Sequence, residues 1–323
     1  MSTGERQLLA VFGATGQQGG SVIKTVLADP ELSQRYRVRG LTRDTSSAGA
    51  QALQSQGVEV IRADASDSVE SVASALQGSD VAFVVTVTDY GAKDGTYRTE
   101  LRQGKRIVDA AVAAGVKYLI FSTLKHVSKT SGGKYTKVGG FDSKAEVEEY
   151  IRALGKDPKV GLKSAFFAPG SFMQNFQHLM APRPAGDGTY ALTGIMTPET
   201  KLPLIDTLGD TGKYVGAILA DLAKYEGKVM SAASELTSMT ETVAQMSKAL
   251  GKTVVYKQIS VDVYKTFLPP NARDQLVEMF LYIQDYGYYG ETTKEDVEWT
   301  GQQARGQLTS LEQYLAENPI HVD

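Results

Sequence analysis

The chain has 323 residues, 42% hydrophobic and 22% charged, with no cysteine and a formal net charge of −3 at pH 7. That length predicts one large domain with an appended lobe, or two domains, and a core that needs no staples, while the charge excludes a global attraction for nucleic acid. Disulfides, thiolate metal sites and cysteine nucleophiles are excluded outright, a membrane span by the absence of any apolar run near about 18 residues, and a signal peptide by the polar start Met1–Arg6, which leaves a cytoplasmic and possible nuclear protein as the expectation.

The first half alternates strand and helix signals. Residues 7–12 read as a first strand, followed by a glycine-rich turn and a helix over 18–28. Strands over 37–42 and 58–61 flank a short helix over 48–55, and residues 69–76 form a helix that ends at Gly78. Residues 81–85 are a continuous apolar run, as in a parallel strand buried on both faces. A long helix over 96–114 stops at Gly115, strand five covers 118–121, a helix covers 143–154 with Gly155 as its stop, and strand six covers 162–167. This rhythm predicts an α/β fold, a Rossmann doubly wound parallel sheet over residues 1–169. Residues 170–323 then form a smaller α/β C-terminal lobe with segments that return to the first domain. There, Pro182, Pro184, Gly186 and Gly188 mark a loop. Residues 210–225, 240–250 and 271–286 read as helices, and 229–231 and 253–259 as strands, the first of them rejoining the sheet.

Strand one leads into Gly13-Ala14-Thr15-Gly16-Gln17-Gln18-Gly19-Gly20, a G-x-x-G-x-x-G pattern on Gly13, Gly16 and Gly19. In a strand–turn–helix context such a loop allows a tight turn, lets the backbone approach a pyrophosphate and packs helix on strand closely. The helix behind it aims free N–H groups and the positive end of its dipole at the phosphates. A nicotinamide dinucleotide is the expected cofactor. Strand two ends in Arg43-Asp44, and a basic residue there suits a 2′-phosphate, so NADP(H) is preferred over NAD(H). Thr45, Ser46 and Ser47 offer further hydroxyls. Asp44 either repels the phosphate or holds Arg43 in place. Asp64, after strand three, either reaches the adenine or caps a turn.

The run from Val11 to Val22 resembles the start of NmrA-like proteins, atypical relatives of the short-chain dehydrogenases/reductases. The resemblance continues at Arg102-Gln103-Gly104-Lys105, at Phe141-Asp142-Ser143-Lys144-Ala145-Glu146-Val147-Glu148-Glu149-Tyr150 and at Phe172-Met173-Gln174-Asn175, and weakens after about Thr200. It implies that Gly13, Ala14, Thr15, Gly16, Gln17 and Gln18 line the pyrophosphate and that Arg43 meets the 2′-phosphate. It further implies that Asp64 and Ala65 flank the adenine, that Thr86 and Val87 lie along the cofactor, and that Lys144 reaches the nicotinamide ribose. Phe172, Met173, Gln174 and Asn175 would close over the nicotinamide end. Arg102 stands where relatives often carry a lysine near that end.

A working short-chain dehydrogenase pairs a tyrosine with a lysine four residues later, the lysine lowering the phenol pKa for proton transfer. Here Lys144 matches the lysine, but the position four residues earlier is Gly140. Ser122 and Thr123 stand where a carbonyl-orienting serine would be. Candidate substitutes for the missing acid are Lys144 itself, Tyr135 and His126, each with a plainer alternative: ribose binding, loop packing and a loop cap, respectively. The aromatic segment Phe280, Leu281, Tyr282, Ile283, Tyr286, Tyr288 and Tyr289 is a lobe core, a pocket wall or a partner face. The histidines His126, His178 and His321 lack metal-ligand spacing, so no metal is expected.

A complete cofactor loop beside an incomplete catalytic set points to a redox-sensing regulator that acts through a protein partner, such as a transcription factor, without touching nucleic acid directly. The alternatives are an NADPH-dependent reductase of a small enone, imine or ketone, and a scaffold that binds no dinucleotide.

Overall fold

The computed structural model describes residues 5–320; residues 1–4 of the polar start, and His321, lie outside them. Seven parallel strands form the central sheet in the order β3-β2-β1-β4-β5-β6-β11. They are β1 (Gln7–Phe12), β2 (Tyr36–Thr42), β3 (Glu59–Arg62), β4 (Val81–Val84), β5 (Tyr118–Ser122), β6 (Lys163–Pro169) and β11 (Val229–Ala232). The order reverses between β1 and β4, so their C-terminal ends open a crevice of the kind that receives ligands in doubly wound folds. The strands are apolar on both faces because both are covered. Leu9, Val11, Phe83 and Ile120 pack on one side, against α1 (Gln17–Ala28) and α8 (Thr207–Ala220). Ala10, Ala82, Leu119 and Phe121 pack on the other, against α4 (Val69–Leu76), α5 (Thr96–Ala113) and α7 (Gly139–Lys156). Short helices α2 (Pro30–Arg35), α3 (Ala48–Ser55) and α6 (Val127–Thr130) fill the connections.

After Pro169 the chain builds two three-stranded sheets. One orders β12 (Glu235–Ser238), β10 (Lys201–Ile205) and β7 (Ser171–Phe172); the other orders β13 (Val254–Gln258), β9 (Tyr190–Gly194) and β8 (Arg183–Pro184). Helices α9 (Met239–Leu250), α10 (Val261–Phe267), α11 (Arg273–Tyr286), α12 (Thr293–Gly301) and α13 (Leu311–Glu317) complete this part. The aromatic segment is its core. Phe280, Tyr282, Tyr288 and Tyr289 are buried, and the Tyr289 hydroxyl donates 2.9 Å to the Ala168 carbonyl, which ties the core to the end of β6. Among the described residues, no helix is long and apolar enough to cross a membrane.

Three expectations need correction. Helix α7 starts at Gly139, a full turn before Ser143, and runs through Gly155 to Lys156. Gly155 does not stop it; a Cβ there would lie 2.8 Å from the Leu162 carbonyl, so the residue is small because the following chain passes close by. Helix α8 begins at Thr207, capped by the Asp206 carboxylate on the Leu208 N–H, and ends at Ala220 and not at Tyr225. The strands β9, β10 and β12 and the helices α10, α12 and α13 were not anticipated. They are four to nine residues long and alternate too briefly to announce themselves.

Candidate cofactor crevice and the cluster around Lys144

The turn from β1 into α1 is set by Gly13, whose φ of +62° is left-handed and whose carbonyl accepts the Gly16 N–H at 2.8 Å. A Cβ on Gly19 would sit 2.3 Å from that same carbonyl oxygen, so helix and turn touch backbone to backbone. The N-cap of α1 is Gly16, which has no side chain to satisfy the first-turn N–H groups. Gly13, Thr15, Gly16 and Gln17 are exposed, Ala14 is buried, and the buried Gln18 Oε1 has no hydrogen-bond partner. Free N–H groups, an exposed backbone and an orphaned polar atom at one helix start fit a pyrophosphate.

At the end of β2, Arg43 is exposed and has no ion-pair partner among the described residues. Asp44 does not hold it. Its carboxylate accepts the Ser46 hydroxyl at 2.6 Å and the Ser46 N–H at 2.8 Å, and these bonds, the hydroxyl foremost, lower its pKa. Ser47 caps α3. Arg43 is therefore available to an anion. Asp64 is a turn residue, accepting the Ser66 N–H at 2.8 Å, while Ala65 gives its carbonyl to Arg106 at 3.0 Å; Ser68, and not Asp64, caps α4.

The segment leaving β4 carries Thr86, buried, and Val87, 69% exposed. Beside it lies the feature the sequence did not reveal. Glu100, in α5, is 1% exposed. It accepts Thr86 Oγ1 at 2.7 Å, Thr88 Oγ1 at 3.0 Å and Ser143 Oγ at 3.1 Å, and pairs with the Lys144 ammonium. Lys144 also donates to Thr88 Oγ1 at 3.0 Å and to the Gly140 carbonyl at 3.4 Å. Its three N–H donors thus all have protein acceptors. One signal could have found Glu100: it shares the buried stripe of α5 with Thr96, Gly104, Ile107 and Ala111, and a carboxylate on an apolar stripe must have partners.

The proposed acids disperse. Gly140 is buried, and a Cβ there would lie 2.8 Å from Thr88 Cγ2, so no phenol fits at that position. Tyr135 donates to Asp285 Oδ2 at 2.6 Å and packs edge-on against Tyr286; burial and that carboxylate raise its pKa. His126 caps α6, with Nδ1 3.1 Å from Asp142 Oδ1. Ser122 is 1% exposed with an unpartnered Oγ, whereas Thr123 donates to Glu148 at 2.8 Å.

Of the remaining residues, Arg102 pairs with Asp94 at 2.9 Å on the surface. Phe172 is half-buried in β7, paired with Ile205, and Asn175 is half-buried. Met173 is fully buried in the lobe core. Gln174 donates to Asp206 at 2.7 Å, bracing the start of α8.

A model of the NmrA-like family matches residues 5–315. An NmrA-like family domain-containing protein of Dictyostelium discoideum is 29% identical over 315 residues, covering 97% of this chain and 98% of its own. The NmrA-like family domain-containing oxidoreductase malD of Malbranchea aurantiaca is 32% identical over 269 residues, covering 80% and 77%. The crystal structure of NmrA, a negative transcriptional regulator, in complex with NADP superimposes with a TM-score of 0.78 at 23% identity, covering 98% and 96%; NmrA is also known in complex with NAD. The chain belongs to the NmrA-like family.

Proposed function

We propose that this protein binds NADP(H) along the crevice above β1, β2 and β4 and reports the balance of NADPH and NADP+ to a protein partner. Binding is supported by the uncapped start of α1, and the preference for the phosphorylated cofactor by Arg43, which is exposed and, among the described residues, unpaired. The observation that carries the regulatory reading is the closure of the proton-donor position. Gly140 packs on Thr88, Lys144 is spent on Glu100, Thr88 and the Gly140 carbonyl, and Tyr135 is spent on Asp285. A regulator needs different affinities for the two redox forms, coupled to two states of its own surface. The likeness to NmrA suggests a transcription-regulating protein as partner, in the cytoplasm or nucleus.

The test is titration of the purified protein with NADP+, NADPH and NAD+, followed by NADPH absorbance with a panel of enones, imines and ketones. Unequal affinities for NADPH and NADP+ without turnover are expected. Equal affinities, or NADPH oxidation that scales with protein, overturn the regulatory reading.

The second reading is an NADPH-dependent reductase of a small enone, imine or ketone. Two facts favour it: malD is named an oxidoreductase, and the buried Ser122 Oγ lies unpartnered at the end of β5, where a hydroxyl would orient a carbonyl. Turnover in the same assay, lost in Ser122→Ala, would establish it.

A further inference from the structure

We infer that Glu100 is a positioning residue of the nicotinamide end of the crevice, acting through Lys144 and the segment after β4; this rests on the proposal that the chain binds a nicotinamide dinucleotide. A carboxylate that is 1% exposed is costly to keep ionised without compensation. Glu100 is fully compensated: three hydroxyls and one ammonium converge on its two oxygens from two separate segments. Thr86 and Thr88 come from the chain leaving β4, while Ser143 and Lys144 come from the second turn of α7. Among the described residues no other side chain touches both segments through so many bonds.

The geometry has a direct consequence for Lys144. Its stem is long and flexible, and an ammonium left to itself at this depth would swing to water. The Glu100 carboxylate and Thr88 hydroxyl hold it in the crevice wall instead, leaving its long contact to the Gly140 carbonyl, 3.4 Å, as the donor most easily given up to a ribose hydroxyl. Glu100 also ties down Thr86 and Thr88 on either side of Val87, which is 69% exposed. The site is therefore preformed at its nicotinamide end by a residue that need not touch the ligand.

The phosphate loop and Arg43 lie outside this cluster, so its loss should be felt at one end of the cofactor only. Full-length Glu100→Gln, Lys144→Met and the double variant are titrated with NADP+ and with adenosine 2′,5′-bisphosphate, which carries the adenylate and 2′-phosphate but no nicotinamide. Glu100→Gln keeps the shape and an acceptor while removing the charge. It is expected to weaken NADP+ binding about tenfold and the bisphosphate less than about twofold, with the double variant no weaker than Lys144→Met alone. Amide hydrogen exchange of residues 86–88 in the ligand-free protein should quicken in Glu100→Gln. Equal weakening of both ligands, or fully additive losses, would show a merely structural role and overturn the inference. If wild-type protein bound neither ligand, the dinucleotide proposal would fail instead. The exchange measurement would then still report whether Glu100 orders the segment.

Discussion

Gly140 and Thr88 meet so closely that a Cβ on the glycine would lie 2.8 Å from the threonine methyl and 2.9 Å from its hydroxyl. The first turn of α7 is pressed against the segment leaving β4, and this contact leaves no room for a side chain at the position four residues before Lys144. Gly140→Ala should cost about 1–3 kcal/mol through overpacking, measured by denaturant unfolding. Gly140→Tyr should be less stable still and should not gain reductase activity. A well-folded, active Gly140→Tyr would mean that the contact can open.

The glycine-rich turn before α1 makes a second steric prediction. Gly19→Ala puts a methyl 2.3 Å from the Gly13 carbonyl oxygen, and backbone cannot swing aside as a side-chain tip can. Turn and helix must separate, moving the N–H groups that would face a pyrophosphate. NADP+ affinity should fall by at least about tenfold, since each misplaced bond to a charged group is worth about 1.5–3 kcal/mol. Isothermal titration checks this, with circular dichroism as the control that the fold survives.

Arg43 should decide between the two dinucleotides. It has no partner among the described residues, so Arg43→Ala should leave the melting temperature unchanged. NADP+ should bind about 10- to 100-fold more weakly, and NAD+ should be unaffected. Equal losses for both would place Arg43 elsewhere on the cofactor.

Tyr135 should matter to stability and not to the cofactor. Burial of Asp285 opposes its ionisation, but hydrogen bonds from Lys134, Tyr135 and Gln284, with the Lys134 charge, outweigh it and hold the carboxyl below its ordinary pKa. A carboxyl lowered on folding stabilises the fold above its unfolded pKa, about 3.9, and that contribution is lost as pH falls through the folded value. Tyr135→Phe should cost about 1 kcal/mol near neutral pH. The gap from wild type should narrow below about pH 4, while NADP+ binding stays the same. A Tyr135→Phe variant that binds NADP+ poorly would return the phenol to the site.

The sequence alone determined the parallel sheet and the glycine-rich turn that leads from its first strand into α1. Strands such as β1 and β4 are buried on both faces and so must be apolar throughout, while a G-x-x-G-x-x-G turn between strand and helix has few uses. These are local signals, readable within a dozen residues. Tertiary structure decided the rest, because the deciding facts lie between distant segments. Gly139 and Gly140 are poor helix formers, which hid the true start of α7; they are small because Tyr97 and Thr88 crowd that turn. Glu100 reads as one more charge on a long helix until burial sets it against Thr86, Thr88, Ser143 and Lys144. Tyr135 sits nine residues before Lys144, yet its hydroxyl is taken by Asp285, 150 residues away. A proton donor is defined by what its last atom touches, and only the folded chain fixes that.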